Sequence, residues 1–129
     1  MNFQENIFGA YDIRGKYPQE INETLATSIG NALGKLWSNQ KVILGYDARH
    51  GSIELAKALE EALLKHNINL EKAGLITTPM LYFLVNHYHA AGGIMITASH
   101  NPKEWNGMKI VKEMGMPVSG TEIKELLQK

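Results

Sequence analysis

Residues 41–76 read KVILGYDARHGSIELAKALEEALLKHNINLEKAGLI, and this stretch decides the fold. Lys41–Tyr46 is a short apolar run with little alternation, the pattern of a strand buried on both faces. The polar loop Asp47-Ala-Arg-His-Gly51 follows it. Ser52 is placed to cap a helix, because Ile53, Leu55, Ala56, Leu59, Ala62 and Leu63 recur at helical spacing and line one face. That helix should end near Asn67, and Leu70–Ile76 then reads as a second strand. Strand, helix and strand joined this tightly form the parallel crossover unit, which is right-handed and needs helices packed against its sheet.

The alternation continues on both sides. Upstream, Ile21–Trp37 sets Leu25, Ile29, Leu33 and Leu36 at three- and four-residue steps behind a capping Asn22, the mark of an amphipathic helix. Downstream, Pro79 suits the first turn of a third helix that runs to about Tyr88, and Gly92–Thr97 is a third strand. Asn106–Val111 resumes an extended pattern, and a last helix starts near Ser119 or Gly120 and covers Glu122–Gln128. The expected fold is α/β, a three-layer α/β/α sandwich around a mostly parallel mixed sheet. In such sheets ligands bind beyond the carboxyl ends of the strands. The loops at 47–51, 77–79 and 98–102 should therefore share one edge and hold any site.

Composition narrows the function classes. At 129 residues and 14.4 kDa the chain is read as a single domain over residues 1–129. Thirteen Lys and Arg balance thirteen Asp and Glu, so there is no basic excess for a nucleic-acid backbone, and no nucleic-acid partner is expected. Without cysteine there is no disulfide framework, no thiolate metal site and no cysteine nucleophile, which fits a cytoplasmic location. The first residues show no basic stretch leading into an apolar one, and no apolar run approaches the ~20 residues of a membrane span.

Several tempting signals are better read as structure. Gly30-Asn-Ala-Leu-Gly-Lys35 is one residue short of a phosphate loop, lacks the following hydroxyl and falls inside a helix. His66, His87 and His89 are expected to be solvated, and the methionines to be core filler or loop residues. Thr97-Ala-Ser-His-Asn-Pro102 is different: a hydroxyl, an imidazole and an amide are concentrated directly after a glycine-rich strand. Its plain reading is a polar turn around Asn-Pro. Its chemical reading is a loop that carries a phosphoryl group on Ser99, which requires cations nearby for a charge of about −1.5 to −2. Lys109 on the returning strand and Arg14 near the N-terminus are the candidates, each otherwise a surface residue. Asp47 and Arg49 are expected to pair and order their loop, with phosphate contact as a second role.

Phe8-Gly-Ala-Tyr-Asp-Ile-Arg-Gly15, Gly45-Tyr-Asp-Ala-Arg49, Thr97-Ala-Ser-His-Asn-Pro102 and Asn106-Gly-Met-Lys109 follow one another as they do in the α-D-phosphohexomutases, which the sequence resembles over nearly its whole length. The first motif is most similar to that of the bacterial phosphomannomutase/phosphoglucomutase branch. The resemblance implies an isomerase that exchanges hexose 1-phosphate and hexose 6-phosphate, of mannose or glucose, through a phosphoserine at Ser99 and a hexose 1,6-bisphosphate intermediate. By the same resemblance Lys109 is the general acid/base, Tyr11 and Arg14 line the site, and His100 with Asn101 shapes the serine loop. Arg14, Asn101 and Lys109 would also touch the hexose phosphate, and magnesium would sit on the Ser99 phosphate.

Family members have four domains, and this chain resembles the first alone, without the Asp-rich metal loop of the second. On its own it is expected to be nearly inactive and to expose an apolar interface through which it self-associates. Two alternatives stay open: a noncatalytic phosphosugar-binding fragment, and the first domain of a phosphoglucosamine mutase.

Overall fold

The computed structural model describes residues 3–129. A single 3-10 turn at Glu5–Ile7 leads into strand β1 (Ile13–Lys16), helix α1 (Glu23–Leu36) and strand β2 (Lys41–Tyr46). Helix α2 (Ser52–Leu64), strand β3 (Asn69–Leu75), helix α3 (Thr78–His87) and strand β4 (Gly92–Ile96) continue the alternation. Strands β5 (Trp105–Lys112) and β6 (Met116–Pro117) and helix α4 (Gly120–Leu127) complete it. The strands form one six-stranded sheet in the order β1-β5-β4-β2-β3, with β6 paired to β5.

Strand β2 is parallel to both β3 and β4, while β5 is antiparallel to β4, β1 and β6. Five of the six strands therefore point the same way and β5 alone opposes them, the mostly parallel mixed sheet expected from the sequence. On one face Ile13, Val42, Leu44, Ile94, Ile96, Met108 and Ile110 meet α1, α2 and α4 in the larger core. On the other, Ile43, Met95 and Val111 pack with Leu81 and Val85 of α3. Two apolar faces, each covered by helices, give the three layers.

The helices start where side chains cap them. Asn22 accepts from the Leu25 amide, Thr77 from Met80, and Ser119 forms a reciprocal capping box with Glu122. Ser52 does not cap α2. Gly51, left-handed at φ 89°, is the N-cap, and Ser52 is the first helical residue, buried with its hydroxyl turned onto Asp47. A β-carbon at Gly51 would lie 2.6 Å from the Tyr17 ring, so only glycine both takes this φ and leaves room for that ring.

Two residues assigned to apolar helix faces are exposed. Leu25, Ile29 and Leu33 form a four-residue row that Trp37 continues into the core, and Leu36 falls one step out of phase at 51% exposure. Ile53 stands two positions before Leu55, on the far side of α2, and is also exposed. Helix α2 stops at Leu64, three residues before the expected Asn67, with Lys65 as its C-cap. His66 is half-buried and meets Asn31 Oδ1 at 3.1 Å, while His87 and His89 are exposed as expected. The apparent phosphate loop is a packing device: a β-carbon at Gly30 would strike Ala62, and one at Gly34 would strike His66.

Strand β1 has no counterpart in the sequence reading, which gave Arg14 a surface turn as its plain alternative. It pairs Ile13 with Met108 and Arg14 with Gly107. The close approach rests on Gly107, where a β-carbon would run into the Ile13 carbonyl and stand 2.8 Å from Arg14 Cα. Gly107→Ala should therefore prise β1 from the sheet and cost about 2–3 kcal/mol, read as a lower midpoint in chemical denaturation.

Candidate active site

The direction of β5 gathers the site. Strand β4 ends at Ile96 opposite Met108, and Ile13 pairs with the same Met108, so β1 begins where β4 ends. Arg14 lies across from Gly107, and Lys109 lies two residues along β5 from Gly107 on the same face as Met95. Beyond β4 the Thr97 amide still bonds to the Gly107 carbonyl, and the chain then turns into the serine loop.

A hollow of about 470 Å³ opens at this point, lined by Tyr11, Asp12, Arg14, Tyr82, Ser99 and Lys109, with the Gly115–Pro117 turn at its rim. Tyr11, Arg14, Ser99 and Lys109, singled out in the sequence, are thus brought together from three separate segments. Asp12 Oδ1 stands 3.6 Å from Arg14 Nε and steadies that half-exposed side chain. His100 is exposed and Asn101 half-buried, and neither lines this hollow. The Asn101 amide is turned back onto the Ala98 carbonyl at 2.8 Å, which shapes the loop and leaves the amide away from the Ser99 pocket.

The loop itself is tightly specified. The Ser99 amide donates to Thr97 Oγ1 at 3.0 Å, and the Asn101 amide to the Ala98 carbonyl at 3.1 Å. Ser99 takes φ 58°, left-handed backbone that a residue with a β-carbon adopts only when its surroundings insist. Arg49 bonds to this segment at four points. Its guanidinium donates to the carbonyls of Ser99 (2.6 Å), Asn101 (2.8 Å), Pro102 (2.8 Å) and Trp105 (3.2 Å). Its Nε faces Asp47 Oδ2 at 3.5 Å, the expected ion pair.

Behind Arg49 stands a chain of polar contacts. Asp47 Oδ1 accepts from the Arg49 amide at 3.0 Å and from Ser52 Oγ at 2.7 Å. Ser52 Oγ in turn accepts from Asn106 Nδ2 at 3.0 Å. Buried Asn106 also donates to the His50 carbonyl and accepts from the Gly107 amide, tying the 47–51 loop to β5. The sequence marked Asn106 only as part of a motif and Ser52 only as a cap. Asp12 and Tyr82 were not marked as lining residues, because their place depends on β1 and on the phase of α3.

A second hollow, about 730 Å³, is lined by Tyr17, Asp47, Arg49, His50, Asn101 and Glu104 and shares no residue with the first. Its Tyr17 hydroxyl donates to Glu23 Oε1 at 3.0 Å, and its ring stands edge-on to His50. Burial first, then the Glu23 hydrogen bond and the charges of Glu23 and Glu54, push the Tyr17 phenol up to about 12. Among the described residues no group of three or more His, Asp or Glu side chains gathers to hold a metal, and no helix is long and apolar enough to cross a membrane.

Fold and site together define an α/β/α domain whose polar loops meet at the carboxyl edge of the parallel strands. A family model described as phosphoglucomutase/phosphomannomutase, alpha/beta/alpha domain I, matches residues 5–129, and the chain belongs to that family. Phosphohexose mutases of Xanthomonas campestris are 46% identical over 112 residues, covering 87% of this chain and 25% of theirs. A phosphomannomutase of Escherichia coli is 42% identical over 113 residues, 88% of this chain and 25% of that protein. Among solved structures, a phosphoglucomutase/phosphomannomutase family protein from Burkholderia thailandensis superposes with a TM-score of 0.85 at 29% identity, over 98% of this chain and 30% of that one. A putative phosphomannomutase from Thermus thermophilus gives 0.83 at 32% identity, over 94% and 29%. The chain spans about a quarter of the length of these first two relatives.

Asn106→Ala should cost about 2–3 kcal/mol in chemical denaturation, because it strips Ser52 and the Gly107 amide of buried partners. Tyr17 gives a pH prediction. Its phenol is raised in the folded state above the ordinary 10, so folding favours the protonated form, and that contribution is complete below pH 10 and lost as the pH rises towards 12. An ultraviolet titration should show one of the five tyrosines ionising late, and Tyr17→Phe should remove that step.

Proposed function

We propose that this chain is the phosphoserine-bearing domain of a phosphohexomutase that interconverts hexose 1-phosphate and hexose 6-phosphate, of mannose or glucose. The observation that carries the reading is the placing of Ser99 on a pinned loop beside a hollow that also holds Arg14 and Lys109. Membership of the family supports it.

In this reading phosphorylated Ser99 donates its phosphoryl group to the free hydroxyl of a hexose monophosphate. The bond from Ser99 Oγ to phosphorus breaks and one from the sugar oxygen to phosphorus forms, giving the 1,6-bisphosphate. Lys109, as a cation, gives a proton to the departing Ser99 Oγ and takes up the proton of the sugar hydroxyl. After the bisphosphate turns round, Ser99 Oγ takes back the other phosphoryl group, its own proton passing to Lys109 Nζ as Lys109 gives one to the departing sugar oxygen. Phosphoryl transfer depends chiefly on alignment and on neutralising the equatorial oxygens, for which Arg14 and Lys109 are positioned.

Magnesium belongs to the proposal as further charge neutralisation. The described residues do not assemble a three-ligand set for it, so beyond a phosphate on Ser99 its ligands would come from outside this chain. The same holds for recognition of the sugar hydroxyls, and the chain alone should therefore turn over little substrate. A cytoplasmic setting, where hexose phosphates are found, completes the reading.

Intact mass spectrometry after exposure to a hexose 1,6-bisphosphate and magnesium should show one added phosphate, and Ser99→Ala should abolish it. Lys109→Ala and Arg14→Ala should slow the uptake at least about a hundredfold. A wild-type chain that binds hexose phosphate and never gains the phosphate would favour the noncatalytic phosphosugar-binding reading.

A further inference from the structure

We infer that Arg49 is a positioning residue for the phosphoryl-transfer serine: it holds Ser99 in its left-handed conformation and so aims the hydroxyl at the Arg14–Lys109 hollow. The inference rests on the reading of Ser99 just given. Three observations meet at this side chain. Ser99 is left-handed at φ 58°, and its carbonyl receives the shortest of the four Arg49 hydrogen bonds, 2.6 Å. The other three bonds go to Asn101, Pro102 and Trp105, so one planar group fixes both ends of the loop at once.

Arg49 is itself immobilised. Asp47 holds Nε, Ser52 and the Arg49 amide hold Asp47, and Asn106 holds Ser52. Each terminal nitrogen already serves two carbonyls, so all four terminal N–H donors are occupied, and Nε faces the Asp47 carboxylate at 3.5 Å. None is left for a phosphate, which makes contact with substrate the wrong role for this arginine despite its position at the sheet edge. Lysine cannot replace it, because one ammonium offers three donors from a single point and four carbonyls spread over seven residues need a planar fork.

The test compares the wild-type chain with Arg49→Lys and Arg49→Gln, using residue-resolved amide exchange and the amide-to-Hα distance within Ser99, which is short only for left-handed backbone. Both variants should lose that short distance, and exchange at the Asn101 and Trp105 amides should quicken at least about tenfold, while Val42 and Ile94 in the sheet stay protected. Retention of left-handed Ser99 in both variants overturns the inference. If Arg49→Gln unfolds, the lysine variant, which keeps the charge, decides.

Phosphate uptake from hexose 1,6-bisphosphate with magnesium is then followed by intact mass. Both variants should approach the wild-type plateau at least about tenfold more slowly, since misplacement of a reacting atom costs rate. Equal rates in a variant whose Ser99 has changed conformation also overturn the inference. Uptake that Ser99→Ala leaves unchanged defeats the reading of Ser99, and the backbone measurement still decides whether Arg49 sets its conformation.

Discussion

The guanidinium of Arg49 is the contact on which the serine loop depends. Residues 97–105 leave the sheet and return to it, and a carbonyl shielded from water without a donor costs up to about 1–3 kcal/mol. One side chain donates to four carbonyls of this segment, three of them in part-buried hydrogen bonds. An arginine so enclosed needs a counter-charge, which Asp47 provides, and that carboxylate is satisfied in turn by Ser52 and the Arg49 amide. The network is complete: among the described residues no buried side-chain nitrogen or oxygen lacks a partner. Half-satisfied, the same cluster would be worse than an apolar one.

The sheet explains why this cluster lies where a ligand would dock. Parallel strands put their carboxyl ends, and the loops that follow, on one edge. Strand β2 delivers Asp47 and Arg49 there, and β4 delivers Ser99. The reversed strand β5 does something a wholly parallel sheet cannot: it returns from that edge, presenting Lys109 beside Met95 and offering its free side to β1. Arg14 thus arrives on the Lys109 face although the two are far apart in sequence. Gly107 is the hinge of this arrangement, since the Arg14 backbone must pass where a side chain would otherwise stand.

Local pattern carried most of this into the sequence. The row Leu25, Ile29, Leu33 marked α1, the apolar run at Val42–Leu44 marked β2, and Asn22 and Ser119 marked helix starts, because periodicity and capping are properties of neighbouring residues. Strand β1 was not legible. Four residues whose ladder partner is a strand some ninety positions away carry little local signal, and their buried-exposed alternation is too short to stand out. The same reason hid Asp12 and Tyr82 from the site. Leu36 and Ile53 misled for the opposite reason: apolar residues next to a true helical face look like part of it until a neighbour, Trp37 in one case, shows the phase. The ion pair of Arg49 with Asp47 was expected, but its four carbonyl partners were not, because the path of a loop is not written in the residue that fastens it.

The charge at the pocket limits what this domain does by itself on the proposed reading. A phosphoserine brings about −1.5 to −2, and Arg14 and Lys109 bring two positive charges, one of which Asp12 partly offsets. That balance suits holding one phosphoryl group ready for transfer. It leaves nothing for the second phosphate of a bisphosphate, which would enter a pocket whose cations are already engaged by the first. Arg49 cannot make up the difference, since its four terminal donors are taken by the loop and its Nε faces Asp47. The proposed turnover would therefore need a second centre of positive charge facing this edge. On the proposed reading the sheet edge would present Ser99 in a fixed conformation and leave recognition of the rest of the substrate to groups facing it.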